Sequence, residues 1–112
     1  MHITTLYRPT GPKELKLIAD FSYTKFPPRL PEQPIFYPVM NLDYAIQIAR
    51  DWNKPASGAG YVVAFDVDSD YFTKYEIQNV GAEIHNELWV PAEGLDEFNS
   101  HIVGCIRVVY TI

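Results

Sequence analysis

The spacing of apolar residues along the chain predicts one well-defined amphipathic helix. Apolar residues recur at intervals of three and four positions, at Leu42, Ala45, Ile48, Ala49 and Trp52. This is the repeat of a single helix face, and Asn41 just before it is a favoured N-cap residue. We therefore predict a helix from about residue 42 to Asn53 that ends before Pro55, with its apolar face directed to the core. A shorter helix is predicted to begin at Pro12.

Runs of β-branched and aromatic residues predict five strands, at residues 3–8, 61–67, 75–80, 84–90 and 102–112. The run at 61–67 is almost continuously apolar, which is typical of a strand at the centre of a sheet. Pro9 is expected to stop the first strand, and residues 91–98 to form a short helical turn. Strands outnumber helices, and the two helices lie in the first half of the chain. We therefore predict a single α+β domain over residues 1–112.

Residues 26–38 form a proline- and aromatic-rich loop between the two predicted helices. Five of the nine prolines of the chain lie here, so the segment is neither a regular helix nor a central strand. Its apolar residues, among them Phe26, Phe36 and Tyr37, distinguish it from a flexible linker. We predict an ordered loop that packs over the core.

The net charge of −5 bounds the partners of this chain. A negative surface disfavours nucleic acid, whereas a small phosphate-bearing ligand needs only one or two local cations. The single cysteine, Cys105, lies in an apolar run, so it is expected to be buried and has no disulfide partner. No apolar stretch approaches the roughly 20 residues of a membrane helix, and the first residues carry no signal pattern. We therefore expect a cytoplasmic protein without a membrane partner.

Few residue patterns in this chain point to chemistry. The three histidines lack the spacing of zinc ligands and the glycines form no phosphate-binding loop, so no metal is expected. Arg8 ends the first strand, where a guanidinium either holds a phosphate in a cleft or pairs with an acid on the surface. Alternation places His85 and Glu87 on one face of the 84–90 strand. They line a cleft in which burial raises the carboxyl pKa, or they face solvent.

Three segments, taken in order, resemble the ADP-ribosyltransferase-like fold. They are Leu6-Tyr7-Arg8, Tyr44-Ala45-Ile46-Gln47-Ile48-Ala49 and Glu87-Leu88-Trp89-Val90-Pro91. Over nearly its whole length the chain is also similar to a family of short, uncharacterised bacterial proteins that are labelled as ADP-ribosylation or J-type crystallin related. The resemblance implies two small, mostly antiparallel sheets with an NAD-binding cleft between them.

The same resemblance implies roles for five residues. Arg8 would hold the dinucleotide, and Tyr37 or Tyr44 would stack on the nicotinamide. Glu87 would stabilise the oxocarbenium-like ribose as nicotinamide leaves. His85 stands where arginine-modifying enzymes carry Glu or Gln, and it would contact the ribose or the acceptor. The implied activity is NAD-dependent ADP-ribosyl transfer or NAD cleavage, with NAD as co-substrate and a protein acceptor that the resemblance does not identify.

Two alternatives remain open at this point. One is a non-catalytic domain on the same scaffold that binds a small ligand or a protein through the 26–38 loop. The other is an RNA phosphotransferase-like activity on a related fold, against which the acidic charge argues. The position of Arg8 relative to Glu87 separates the enzyme from these alternatives, because the enzyme needs both residues in one cleft.

Overall fold

The architecture is built on a three-stranded antiparallel sheet, seen in a computed structural model that describes residues 2–81 and 83–112. The strands, in the spatial order β1-β3-β7, are β1 (Ile3–Thr10), β3 (Tyr61–Asp68) and β7 (Ile102–Thr111). The predicted central position of β3 is confirmed, and its residues 62–65 and Val67 are buried. Such two-sided burial is what its nearly continuous apolar sequence requires.

Two short two-stranded sheets and several helices complete the α+β fold. The sheets pair β2 (Ile35–Phe36) with β6 (Val90–Pro91), and β4 (Gln78–Asn79) with β5 (Asn86–Glu87), both antiparallel. The helices are α1 (Pro12–Asp20), α2 (Leu42–Ile48), a π-helical segment (Ala49–Asn53), α3 (Lys54–Ser57), α4 (Ser69–Phe72), a 3-10 turn (Ala92–Gly94) and α5 (Leu95–Ser100). The predicted turn at 91–98 thus continues as α5 to Ser100. No helix in the described part of the chain has the length and apolar character needed to cross a membrane.

The long helix predicted in the first half begins as expected but ends later. The Asn41 side chain accepts hydrogen bonds from the backbone N–H groups of Asp43 and Tyr44, so its capping role is confirmed. Helical structure then runs past Asn53 to Ser57, because the intervening segment widens into a π turn in which Lys54 N–H donates to Ala49 O. A widened turn gives the ring of Pro55 room that a regular α-helix denies it.

The predicted 84–90 strand is two short strands with different partners. Residues 86–87 pair with β4, while Val90–Pro91 pairs with β2. The predicted 75–80 strand is likewise reduced to two residues. Val39 forms single bridges to both Tyr7 and Glu87, which connects β1 to β5 across one residue. This bridge brings Tyr7, the residue before Arg8, to within one intervening chain segment of Glu87.

The apolar residues form two clusters. The larger packs the three-stranded sheet against the 26–38 loop and includes Leu6, Ile18, Phe26, Phe36, Phe65 and Phe98. The smaller lies under α2 and contains Val39, Tyr44, Ala45, Ala49 and Val62. The expectation that the 26–38 loop packs on the core is met, since Phe26 and Phe36 are each 1% exposed.

Three features differ from what the sequence predicts: the end of β1, the exposure of Cys105 and the exposure of Trp52. Pro9 does not stop β1, which continues to Thr10, because an edge strand tolerates a residue without an N–H. Cys105 is exposed rather than buried. It follows Gly104, whose φ is +75°, in an edge strand with an irregular register to β3, and this turns its side chain outward. Trp52 is 72% exposed, because the π turn displaces it from the apolar face of α2.

Candidate functional site

A cavity of about 760 Å³ lies between α2 with its π segment and the chain segments 37–39 and 87–89; we call it the first cavity. Its lining residues are Arg8, Pro9, Gln33, Tyr37, Val39, Tyr44, Ile48, Trp52, Asn53, Glu87 and Trp89. Four of these are tyrosines or tryptophans, and Glu87 is the one carboxylate among them. The volume is within the roughly 300–1,000 Å³ typical of small-molecule sites.

Glu87 is a buried carboxylate whose two oxygens are both held. It is 8% exposed. Trp89 Nε1 donates to Oε1 over 2.8 Å, and the Tyr44 hydroxyl donates to Oε2 over 3.2 Å. One donor, Trp89, lies two residues further along the chain, between β5 and β6, and the other, Tyr44, lies in α2. A charge removed from water is tolerated when hydrogen bonds replace its hydration, and the same bonds fix the orientation of the carboxylate.

Tyr44 remains a hydrogen-bond donor over the ordinary range of pH. Its burial, followed by the charge of Glu87 and the hydrogen bond to it, raises the pKa of Tyr44 to about 12. A neutral phenol can donate to Glu87, whereas a phenolate would repel it. Tyr44 therefore acts as a fixed support for the carboxylate.

His85 lies behind Tyr44 and outside the lining of the first cavity. Its ring stacks on Tyr44 with 4.4 Å between centroids and 24° between planes. Its Nε2 is 2.8 Å from Gln47 Oε1, one turn further along α2. His85 thus buttresses Tyr44 and does not reach the space in front of Glu87.

Arg8 lies at the boundary of the first cavity, with its guanidinium firmly held. Nε and Nη2 donate to the two oxygens of Glu14 over 3.0 and 2.9 Å. The guanidinium carbon lies 4.9 Å from the ring centroid of Phe36, a cation–π contact. The side chain is 13% exposed. Arg8 is therefore paired with an acid, but within the fold at the boundary of a cavity and not on the open surface. That it holds a phosphate stays a prediction.

Two further aromatic side chains complete the walls. Tyr37 meets Trp89 edge to face, with 6.4 Å between centroids and 88° between planes. Trp52 stands on the π segment. Tyr37, Trp89 and Trp52 are 38%, 44% and 72% exposed. These flat apolar surfaces form the outer wall, where an incoming planar group can stack.

Four of the five residues singled out in the sequence line the first cavity, namely Arg8, Tyr37, Tyr44 and Glu87. Sequence reasoning missed Trp52, which it assigned to the core, and Arg29, which lies beside Glu14. The available signal for Arg29 was its place in an apolar, proline-rich loop, because a charge within an ordered apolar segment needs a partner.

No cluster of three or more potential metal ligands occurs among the residues that the structure describes. Comparisons of the chain with protein-family models, curated sequences and solved structures give no match.

Proposed function

We propose that the first cavity binds NAD and cleaves the bond between nicotinamide and ribose, passing the ADP-ribosyl group to an acceptor or to water. The observation that carries this proposal is the oriented Glu87 carboxylate, which lies in a cavity with aromatic walls and with Arg8 at its boundary. The resemblance of the three short sequence segments to ADP-ribosyltransferases agrees with this assignment.

The positive charges that NAD carries and develops during cleavage suit the aromatic rings and the carboxylate of the first cavity. The nicotinamide ring of NAD carries a positive charge, and a cation is attracted to the faces of Trp and Tyr rings. When the glycosidic bond breaks, its electron pair leaves with neutral nicotinamide and positive charge develops on the ribose. A carboxylate already aimed at that position stabilises the transition state without reorganising. Glu87 takes this role, and Trp52 and Trp89 flank the departing ring.

Arg8 supplies a positive charge for the diphosphate of NAD. Glu14 engages Nε and Nη2 of Arg8, so the guanidinium is preorganised. Its Nη1 makes no hydrogen bond to the residues that the structure describes and would face the anion. Preorganisation lowers the entropy lost when the ligand binds.

The decisive experiment compares the wild type with Glu87→Gln, and measures NAD affinity by calorimetry and nicotinamide release by chromatography. Glutamine keeps both hydrogen bonds, because its carbonyl accepts from Trp89 and its amide donates to a Tyr44 hydroxyl that turns to accept. We expect NAD affinity within a few-fold of wild type, and nicotinamide release slowed by about 10²-fold or more.

Glu93→Gln, at an exposed position outside the cavity, is the matched control and should leave both quantities unchanged. The proposal is wrong if NAD produces no heat at millimolar concentration, or if Glu87→Gln releases nicotinamide at the wild-type rate.

A non-catalytic binding domain is the second candidate, and Tyr37 favours it. This residue belongs to the 26–38 loop, is exposed and lines the first cavity, whereas Phe26 and Phe36 of the same loop are buried in the core. Aromatic walls around a carboxylate also suit an organic cation that is held but not altered. In that case Tyr37→Ala weakens ligand binding while wild type and Glu87→Gln alike release no nicotinamide.

A further inference from the structure

A second, smaller cavity of about 300 Å³ adjoins the first and is rich in cationic side chains; we call it the second cavity. Its charged lining residues are Arg8, Lys13, Arg29 and Glu14. Three cations against one carboxylate make a local positive region in a chain whose net charge is −5. A concave surface with one sign of charge attracts ions of the opposite sign.

Arg29 is buried in the second cavity and makes few hydrogen bonds there. Its side chain is only 8% exposed, and its bond to Glu14, from Nη1 to Oε1, is long at 3.4 Å. Its Nε is buried and has no hydrogen-bond partner within residues 2–81 and 83–112. The guanidinium also lies 5.8 Å from the ring centroid of Phe36, but a ring face does not replace the hydrogen bond that Nε lacks. A bound anion would supply that interaction.

The N-terminus of α1 opens into the same cavity. Gly11 is its N-cap residue and offers no side-chain hydrogen bond, and Pro12 follows at the first helical position. The backbone N–H groups of Lys13 and Glu14 have no hydrogen-bond acceptor within residues 2–81 and 83–112. Free N–H groups and the dipole of this nine-residue helix together favour an anion beside Lys13.

Glu14 positions the two arginines but does not neutralise the positive charge of the second cavity. Its Oε1 lies 2.9 Å from Arg8 Nη2 and 3.4 Å from Arg29 Nη1, so it holds two like charges side by side. Burial alone would raise the pKa of Glu14, but the positive charge of Arg8 and its hydrogen bond, with Arg29, lower it below the usual value. Glu14 is thus ionised at neutral pH, and its single negative charge leaves one of the two arginine charges unbalanced.

We propose that the second cavity binds a phosphate group through Arg29, Lys13 and the N-terminal N–H groups of α1. The two cavities share Arg8, Pro9, Gln33 and Asn53, so the phosphate is either part of a ligand that extends into the first cavity or a free anion. The inference is independent of NAD cleavage, because it rests on the residues of the second cavity alone.

Calorimetry with inorganic diphosphate as the probe tests this proposal. Lys13→Ala and Arg29→Gln are each expected to weaken diphosphate binding by at least about ten-fold, since each removes a charge-assisted hydrogen bond. Lys16→Ala is the matched control. Lys16 is on the same helix with the same charge, but it is exposed, pairs with Asp20 and does not line the cavity.

Lys13 is exposed, so its substitution keeps the fold even if Arg29→Gln unfolds. The proposal is overturned if diphosphate does not bind at millimolar concentration, or if Lys13→Ala and Lys16→Ala weaken binding equally. The second result would indicate only a general effect of charge.

A comparison of adenosine diphosphate with inorganic diphosphate separates the two sources. If the phosphate belongs to a larger ligand, Trp52→Ala weakens adenosine diphosphate binding and leaves diphosphate unchanged. If the site serves a free anion, Trp52→Ala changes neither affinity. Either result supports the anion site. Glu87→Gln should leave diphosphate binding unchanged, because Glu87 does not line the second cavity, and this expectation holds whether or not the protein cleaves NAD.

Discussion

Tyr44 supports the candidate site from two sides at once. Its hydroxyl donates to Glu87 and its ring stacks on His85, so one side chain connects α2 with the segment 85–87. The sequence suggested Tyr44 only as a stacking partner for a ligand, and this role stays a prediction. The contact with Glu87 spans 43 residues, and no local pattern reports such a distance.

Tyr44→Phe should change the alkaline stability of the protein. The folded-state pKa of Tyr44 is about 12 against 10.0 for a free phenol, so its contribution is complete below pH 10 and is lost as the pH rises towards 12. The loss in free energy of unfolding is smaller than the roughly 3 kcal/mol that two pKa units represent, because solvent in the adjoining cavity screens the hydroxyl. Urea denaturation across this pH range should show a shallower decline for Tyr44→Phe.

Tyr71 also has a pKa above its usual value, first through burial and then through Tyr75, so some decline will remain in the variant. Equal slopes for wild type and Tyr44→Phe would show that Tyr44 does not carry the effect.

Single residues were predictable only where their neighbours in sequence decide their environment. Asn41 was recognised as a cap because the groups it caps are two and three residues away. Cys105 was expected to be buried, since its neighbours are apolar, but the positive φ of Gly104 and the edge position of β7 expose it. Arg29 is buried against Glu14, 15 residues earlier, and sequence spacing contains no information about that contact.

At the scale of elements, the helical stretch from α2 to α3 shows how a change of pitch places a side chain. The i to i+5 hydrogen bond from Lys54 N–H to Ala49 O widens the turn. Trp52 consequently leaves the apolar face that its spacing predicted and stands at the first cavity. The sequence predicted the helix correctly but not the change of pitch, because a π turn has no simple residue signature.

Gly58→Ala should destabilise the protein, because Gly58 ends α3 in the left-handed region with φ +81°. A built Cβ would meet nothing within 4 Å, so backbone strain alone is tested. We expect a loss of about 1 kcal/mol in the free energy of unfolding, measured by urea denaturation.

Gly94→Ala is its matched control, since the site is equally open but has φ −96°. This substitution should stabilise by roughly 0.5 kcal/mol through the unfolded chain. The explanation by backbone conformation is refuted if the two substitutions have the same sign.

The strands show the same division between local and distant information. The apolar run of β3 predicted its central place because both of its faces are covered in the fold. The run at 84–90 looked like one strand but pairs first with β4 and then with β2. The pairing of a strand depends on loop closure over tens of residues, so the composition of the strand itself does not determine its partner.

At the scale of the whole molecule, Glu14 links three parts of the chain. It lies in α1 and binds Arg8 of β1 and Arg29 of the 26–38 loop. Arg8 lines both cavities, whereas Glu14 and Arg29 line only the second. The sequence predicted the α+β class and the order of the main elements. The arrangement of the cavities could not be predicted, because it depends on ionic contacts between distant elements.

Glu14→Gln should lower stability at neutral pH and flatten its dependence on acid. The folded pKa of Glu14 is lower than 4.5, so its contribution is present above pH 4.5 and is lost as the pH falls through the lowered value. Removing one partner from a largely buried ionic group should cost about 3 kcal/mol in free energy of unfolding.

Asp20→Asn, which breaks the exposed pair with Lys16, is the control and should cost no more than about 0.5 kcal/mol. Urea midpoints measured from neutral pH to below 4.5 test both variants. A Glu14→Gln profile parallel to the wild type would contradict the assignment of acid sensitivity to Glu14.

The aromatic wall of the first cavity also gives the protein a built-in optical reporter. The chain contains two tryptophans, and both Trp52 and Trp89 stand on that wall. Intrinsic tryptophan emission of the unmodified protein therefore arises entirely from residues of one site. A planar ligand that stacks there will quench the emission without any label, whereas an anion confined to the second cavity will leave it nearly constant.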